Sequence, residues 1–138
     1  MSDIFLTKEC DYGVRTIRAL ADGEKKTVET ICELEKIPGQ YAYKILKKLE
    51  RAGFVQSVRG RDGGYQLVKP LHQLTLYDIV SAIDESLFLF ACLQKHHVCV
   101  HNNSKRPCTV HQEFMRIQDV LIAEMQRKNM QELLNEHD

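Results

Sequence analysis

The chain has 138 residues, 43% hydrophobic and 28% charged, with nineteen basic side chains balanced by nineteen acidic ones. That size allows one domain with a modest core, or a small domain with an appendage, and the composition excludes a wholly disordered chain. The opening MSDIFLTKEC has no signal-peptide character, and the longest apolar run, LFLFACL at 87–93, is too short to span a bilayer; the expectation is a cytoplasmic protein whose cysteines stay reduced.

Residues 7–22, TKECDYGVRTIRALAD, form the first predicted helix, capped by Thr7 and stopped by Gly23. Val14, Ile17 and Ala21 share one face, while Asp11, Arg15, Arg18 and Asp22 recur on the other, with Asp11 placed to pair with Arg15 one turn on. Residues 27–52 read as two helices broken at Pro38-Gly39. The first, TVETICELEKI, is expected to bury Val28, Ile31 and Leu34. In the second, QYAYKILKKLERA, one side collects Ala42, Ile45, Leu46, Leu49 and Ala52. The opposite side carries Gln40, Tyr43, Lys44, Lys47 and Arg51.

Two short helices joined by a tight turn, the second basic on its outer face, have helix-turn-helix geometry. In that arrangement Gln40 and Tyr43 face base edges, and Lys44, Lys47 and Arg51 reach bases or phosphates. Tyr41 is included among the DNA-binding residues, although it lies nearer the buried side, where its role is to support the helix. The next segment, FVQSVRGRDGGYQLVKP at 54–70, reads as two short strands around a glycine-rich turn. A hairpin directly after a recognition helix is a wing, and its tip carries Arg59 and Arg61, suited to phosphates or a narrow minor groove. Residues 36–69 hold eight basic residues against two acidic ones, a local charge of +6 on a neutral chain, which is the electrostatic footprint of a nucleic-acid surface.

Residues 74–84, LTLYDIVSAID, are a further amphipathic helix, and a cysteine segment follows. The stretch 92–111 gathers three of the five cysteines and four of the six histidines. The ligand-type residues run Cys92, six residues, Cys99, eight residues, Cys108, two residues, His111. Structural zinc sites usually bring cysteines in as close pairs, and these gaps are longer, so an iron–sulfur cluster suits the loop at least as well. Cys108 sits where the last long helix begins, where the helix dipole favours a thiolate, and His111 lies on the same face of that first turn. His96, His97 and His101 are taken as exposed loop residues. Residues 109–127 then form a long helix with Val110, Phe114, Ile117, Leu121 and Met125 in one stripe, which covers the domain's own core or pairs with a second copy.

The order of these parts resembles the Rrf2 family of winged-helix regulators, whose branches include iron–sulfur assembly regulators of the IscR type and nitric-oxide-sensing repressors of the NsrR type. The resemblance runs nearly end to end: LTKECDYGVR, the helix ending LERAGFV, the wing SVRGRDGGYQL, the stretch VSAIDES, and three cysteines before a long helix. It implies a homodimer in which the long helix crosses to the partner, and an iron–sulfur cluster held by Cys92, Cys99 and Cys108. In the IscR-type branch the fourth ligand is a histidine after the third cysteine, matched by His111. In the NsrR-type branch it is a carboxylate from the first helix of the other subunit, matched by Asp11. His111 suits a two-iron cluster and is preferred for its proximity, while Asp11 would resemble four-iron sensors. The gaps of six and eight are longer than the five and five usual in the IscR-type branch, which leaves the nuclearity open. Some family members lack a cluster and regulate cysteine metabolism through a protein partner; the intact cysteine trio argues against that here.

The expectation is therefore a mainly α fold with a small β-hairpin: a winged helix-turn-helix domain at 1–84, a cluster loop at 85–108, and a dimerisation helix with its tail at 109–138. Its function is expected to be that of a dimeric repressor on double-stranded DNA, gated by a cluster that senses iron, redox state or nitric oxide. The alternative keeps the winged helix and makes the cysteines a zinc site or a thiol–disulfide switch. A Cys108–His111 pair has the elements of a nucleophile and base, but no oxyanion-forming turn or third orienting group accompanies it, so no enzymatic activity is expected.

Overall fold

The computed structural model describes residues 7–61, 63–84, 100 and 105–135. Its elements are helices α1 (Lys8–Ala19), α2 (Val28–Glu35) and α3 (Gly39–Arg51), strands β1 (Val55–Val58) and β2 (Gly64–Leu67), a single 3-10 turn at Leu71–Gln73, then helices α4 (Leu76–Ile83), α5 (Thr109–Met125) and α6 (Met130–Asn135). This is the winged helix-turn-helix read from the sequence, with a hairpin as its sheet.

Threonine starts three of the helices, because its hydroxyl satisfies an amide that the first turn leaves without a partner. Thr7 accepts the Cys10 N–H at 3.3 Å and Thr27 accepts that of Thr30 at 3.2 Å. Thr75 and Asp78 form a reciprocal capping box at the start of α4, at 3.2 and 2.9 Å. Between α2 and α3 the chain turns through Lys36, left-handed at φ 57°, and Ile37 closes the turn from inside at 3% exposure.

The core lies where α1, α3 and α4 meet, and it is filled by Ile17 and Leu20, by Ile45, Leu46 and Leu49, and by Leu74 and Ile79, all fully buried. Gly13 lets α1 and α4 cross closely: a Cβ there would stand 2.7 Å from Ile83 Cγ1. Beside it, Cys10 is sealed in the same core.

Leu34 departs from the expectation of burial, at 55% exposure. Three-residue steps from Val28 drift by about 60° each, so Leu34 has rotated some 120° away, while the seventh residue on returns to within about 20° of the starting face. That residue is Glu35, and its carboxylate accepts from Arg18 Nε at 3.0 Å across the α1–α2 contact. This pairing raises the Arg18 pKa, chiefly through the hydrogen bond.

The wing is an antiparallel pair in the register Val55↔Leu67, Ser57↔Tyr65 and Val58↔Gly64. It is braced from three sides. Lys26 and Tyr65 exchange backbone hydrogen bonds of 2.9 and 2.8 Å. Gln66 Nε2 donates to Gly23 O at 2.7 Å, and the Glu50 carboxylate accepts the Ser57 N–H at 2.7 Å. The backbone of Lys26 comes so close that a Cβ on Gly64 would lie 2.2 Å from its carbonyl oxygen.

The C-terminal region divides in two. α5 has no buried residue and touches the domain along α4, with Val110, Met115, Ile117 and Val120 exposed. Its helix ends at Met125, and the tail then returns to the domain. Met130 N–H donates to Leu74 O at 2.7 Å, and its side chain is 1% exposed in the core. The last turn of structure is thus part of the winged-helix core.

Candidate functional site

The outer face of α3 follows from its amphipathic pattern: with Ala42, Ile45, Leu46 and Leu49 buried, Gln40, Tyr43, Lys44, Lys47 and Arg51 are left exposed. Tyr41 stands on the shoulder, half-buried, its ring 5.3 Å from that of Tyr12 in α1. Arg59 and Arg61 are exposed at the tip of the wing. Glu50 joins α3 to β1 through the Ser57 amide, so helix and wing are held as one surface. Among the described residues, Lys47, Arg51, Arg59 and Arg61 have no carboxylate partner, whereas Lys44 and Lys48 do.

That partner is Glu9 of α1, which sequence reasoning missed. Its carboxylate receives Lys44 Nζ at 3.0 Å and Lys48 Nζ at 3.5 Å. The Lys44 hydrogen bond holds the Glu9 carboxyl below the usual range, against the opposing pull of burial. Lys48 also donates to Ile83 O at 2.8 Å, at the end of α4, which makes it an interior strut. A contact between residues 35 positions apart leaves no local signal in the sequence.

Asp11 lies on the exposed side of the same first helix, 3.1 Å from Arg15 as its spacing predicts. Arg15 also donates to Glu35 O at 3.0 Å, closing the C-terminus of α2. Asp11 therefore remains accessible, with 56% of its side chain exposed.

At the other end of the molecule Cys108 is the N-cap of α5, and its sulfur accepts the His111 N–H at 3.4 Å. Both residues are half-buried. His111 Nδ1 is buried and, among the described residues, has no hydrogen-bond partner. A buried polar nitrogen left without a partner costs about 1–3 kcal/mol, a cost that a water, a further polar group or a metal would relieve. Cys92, Cys99, His96, His97 and His101 lie outside the described residues. Among the described residues no three metal-ligating side chains converge, and Cys10 and Cys32 are free thiols within helical elements. Burial raises the Cys32 thiol pKa, with Glu29 adding to the effect. No described helix is long and apolar enough to cross a membrane.

A family model, Rrf2, described as an iron-dependent transcriptional regulator, matches residues 6–136. Among curated proteins, the protein aau3 of Rhizobium meliloti is 36% identical over 91 residues, covering 64% of this chain and 59% of that protein. An HTH-type transcriptional regulator of Synechocystis is 41% identical over 85 residues, covering 59% of this chain and 58% of its own length. The chain thus spans about three-fifths of each of these two relatives. Among solved structures, IscR of T. potens superposes with a TM-score of 0.74 at 19% identity, over 99% of this chain and 90% of that one. CymR, described as the global cysteine regulator of B. subtilis, superposes with a TM-score of 0.73 at 19% identity over the whole of both chains. At such identities the structures speak for the winged-helix fold, and the family model carries the assignment. The chain belongs to the Rrf2 family of transcriptional regulators.

Proposed function

We propose that this chain is a cytoplasmic, homodimeric repressor that binds double-stranded DNA through α3 and the wing, and whose hold on its operator is set by an iron–sulfur cluster at Cys92, Cys99, Cys108 and His111. The observation that carries the cluster reading is the pairing at the start of α5: a cysteine sulfur on a helix N-terminus beside a buried imidazole nitrogen with no partner. These two donors fit the group. A thiolate is stabilised at that end of a helix, and the imidazole nitrogen, in the tautomer that leaves it unprotonated, offers a lone pair. The cluster, when bound, supplies iron whose oxidation, nitrosylation or loss changes charge and ligation at those side chains.

The rest of the mechanism belongs to the protein. Cys108 is both cap and ligand, so a change in its ligation acts on the first turn of α5. That helix has no buried residue in the single chain, and its exposed Val110, Met115, Ile117 and Val120 favour a second copy as the covering surface. A shift of α5 in the dimer changes the separation of two α3 helices. Half-sites lie about 34–36 Å apart, and binding depends on that spacing. On DNA, Gln40 and Tyr43 face base edges with Tyr41 behind them. Lys44, Lys47, Arg51, Arg59 and Arg61 supply the cationic contacts.

The test is anaerobic purification followed by visible absorption and assays of iron, acid-labile sulfide and zinc on one sample. Charge-transfer absorption with matched iron and sulfide is expected, and the ratio per dimer separates two-iron from four-iron. Asp11 is the alternative fourth ligand, donated by the partner chain. A colourless protein with one zinc per chain would overturn the cluster. A second reading, a thiol–disulfide switch, draws on the resemblance to an oxidized form of Staphylococcus aureus CymR at a TM-score of 0.72. A metal-free protein that resists cluster reconstitution is what that reading requires.

A further inference from the structure

Among the described residues, Lys44 is the basic residue on the outer face of α3 that already has an anion. Its ammonium is 3.0 Å from the Glu9 carboxylate, yet 58% of the side chain is exposed, so it can swing into solvent. Glu9 is the less mobile partner: its side chain is 25% exposed and is held from a second side by Lys48. Lys48 in turn is fixed to the Ile83 carbonyl. The carboxylate is thus set rigidly at the border of the basic surface, and Lys44 is tied to it by one contact.

We infer that Glu9 is a specificity-determining residue of the DNA surface: it competes with phosphate for Lys44 and withholds that lysine from indiscriminate backbone contacts. The inference rests on α3 being the DNA-facing helix. A phosphate that engages Lys44 must displace Glu9, and it leaves that carboxylate with only the longer 3.5 Å contact to Lys48, beside the polyanion. DNA held loosely in many registers offers no geometry to offset that cost, so Lys44 contributes little to non-specific binding. Lys47, with no carboxylate partner among the described residues, has no such restraint.

The experiment uses the full dimeric chain and a random-sequence 30-base-pair duplex, with affinity measured across a salt series. Glu9→Gln is expected to bind the random duplex roughly three- to tenfold more tightly at about 0.1 M salt, with a slope steeper by about 0.9, the signature of one more neutralised phosphate. Combining Lys44→Gln with Glu9→Gln is expected to abolish the gain, with affinity and slope returning to those of Lys44→Gln alone. Glu9→Asp keeps the charge and withdraws the oxygens by one methylene, so it should give a smaller gain in the same direction if Glu9→Gln unfolds. An unchanged affinity and slope in both Glu9 variants would overturn the inference. So would a gain that survives Lys44→Gln, since Glu9 would then act by general repulsion. Failure of the underlying reading is separable: it shows as Lys47→Ala with Arg59→Ala leaving wild-type DNA binding intact.

Discussion

The sulfur of Cys108 accepts the backbone N–H of His111 at 3.4 Å, so the side chain that caps α5 is also one of the ligands in the proposed cluster site. Cys108→Ser separates the two roles. Serine is a good N-cap, so thermal stability of the metal-free protein should stay within about 0.5 kcal/mol of the parent. Iron content and visible absorption should fall to background. A serine variant with full iron content would remove Cys108 from the ligand set.

His111 and Asp11 are distinguished by their surroundings. Among the described residues the His111 Nδ1 atom is buried without a partner, whereas Asp11 is exposed and paired with Arg15. His111→Ala is therefore expected to lose the cluster or bind it with sharply reduced yield, while Asp11→Ala should retain the wild-type spectrum. Its only expected cost is the exposed ion pair, roughly 0.3–0.5 kcal/mol. Iron-to-protein ratios on the two variants check this, and the reverse pattern would assign the fourth ligand to the partner chain.

Lys47, Arg51, Arg59 and Arg61 are exposed on α3 and the wing. Replacing each by alanine should leave the melting temperature nearly unchanged. If each contacts one phosphate, each replacement should flatten the dependence of log affinity on log salt by about 0.9 per contact. Titrations of a duplex at three or more salt concentrations measure both effects.

The tail of the chain should matter for folding out of proportion to its length. Met130 is 1% exposed, and Met130→Ala is expected to cost about 2–5 kcal/mol. Gly64→Ala should cost about 1–3 kcal/mol, because the Lys26 carbonyl must move away to admit the new carbon. Chemical denaturation followed by circular dichroism reads both. A Met130→Ala variant as stable as the parent would mean that α6 contributes little to the core.

Exposed apolar residues on α5 should decide assembly without deciding the fold. Val110→Asp combined with Ile117→Asp places two charges on residues that are 55% and 37% exposed in the single chain. Sedimentation equilibrium is expected to show monomers that keep their helical content. A variant that remains dimeric would place the interface elsewhere.

The reading from sequence succeeded where a pattern is local. The helices at 8–19, 28–35 and 39–51, the Thr7 cap, the hairpin at 55–67 and the exposed basic face of α3 all follow from periodicity, capping chemistry and turn residues. Asp11 and Arg15 meet because four residues on a helix are one turn apart. What the sequence left undecided depends on which elements pack together. Leu34 stays in solvent because Glu35, with Arg18, occupies the face that α2 turns to α1. Glu9 reaches Lys44 only because α1 crosses α3, and Met130 enters the core only because the tail folds back onto Leu74. Periodicity tells a residue which side of its own helix it is on; the helix that side meets is settled by the burial of the whole apolar surface at once.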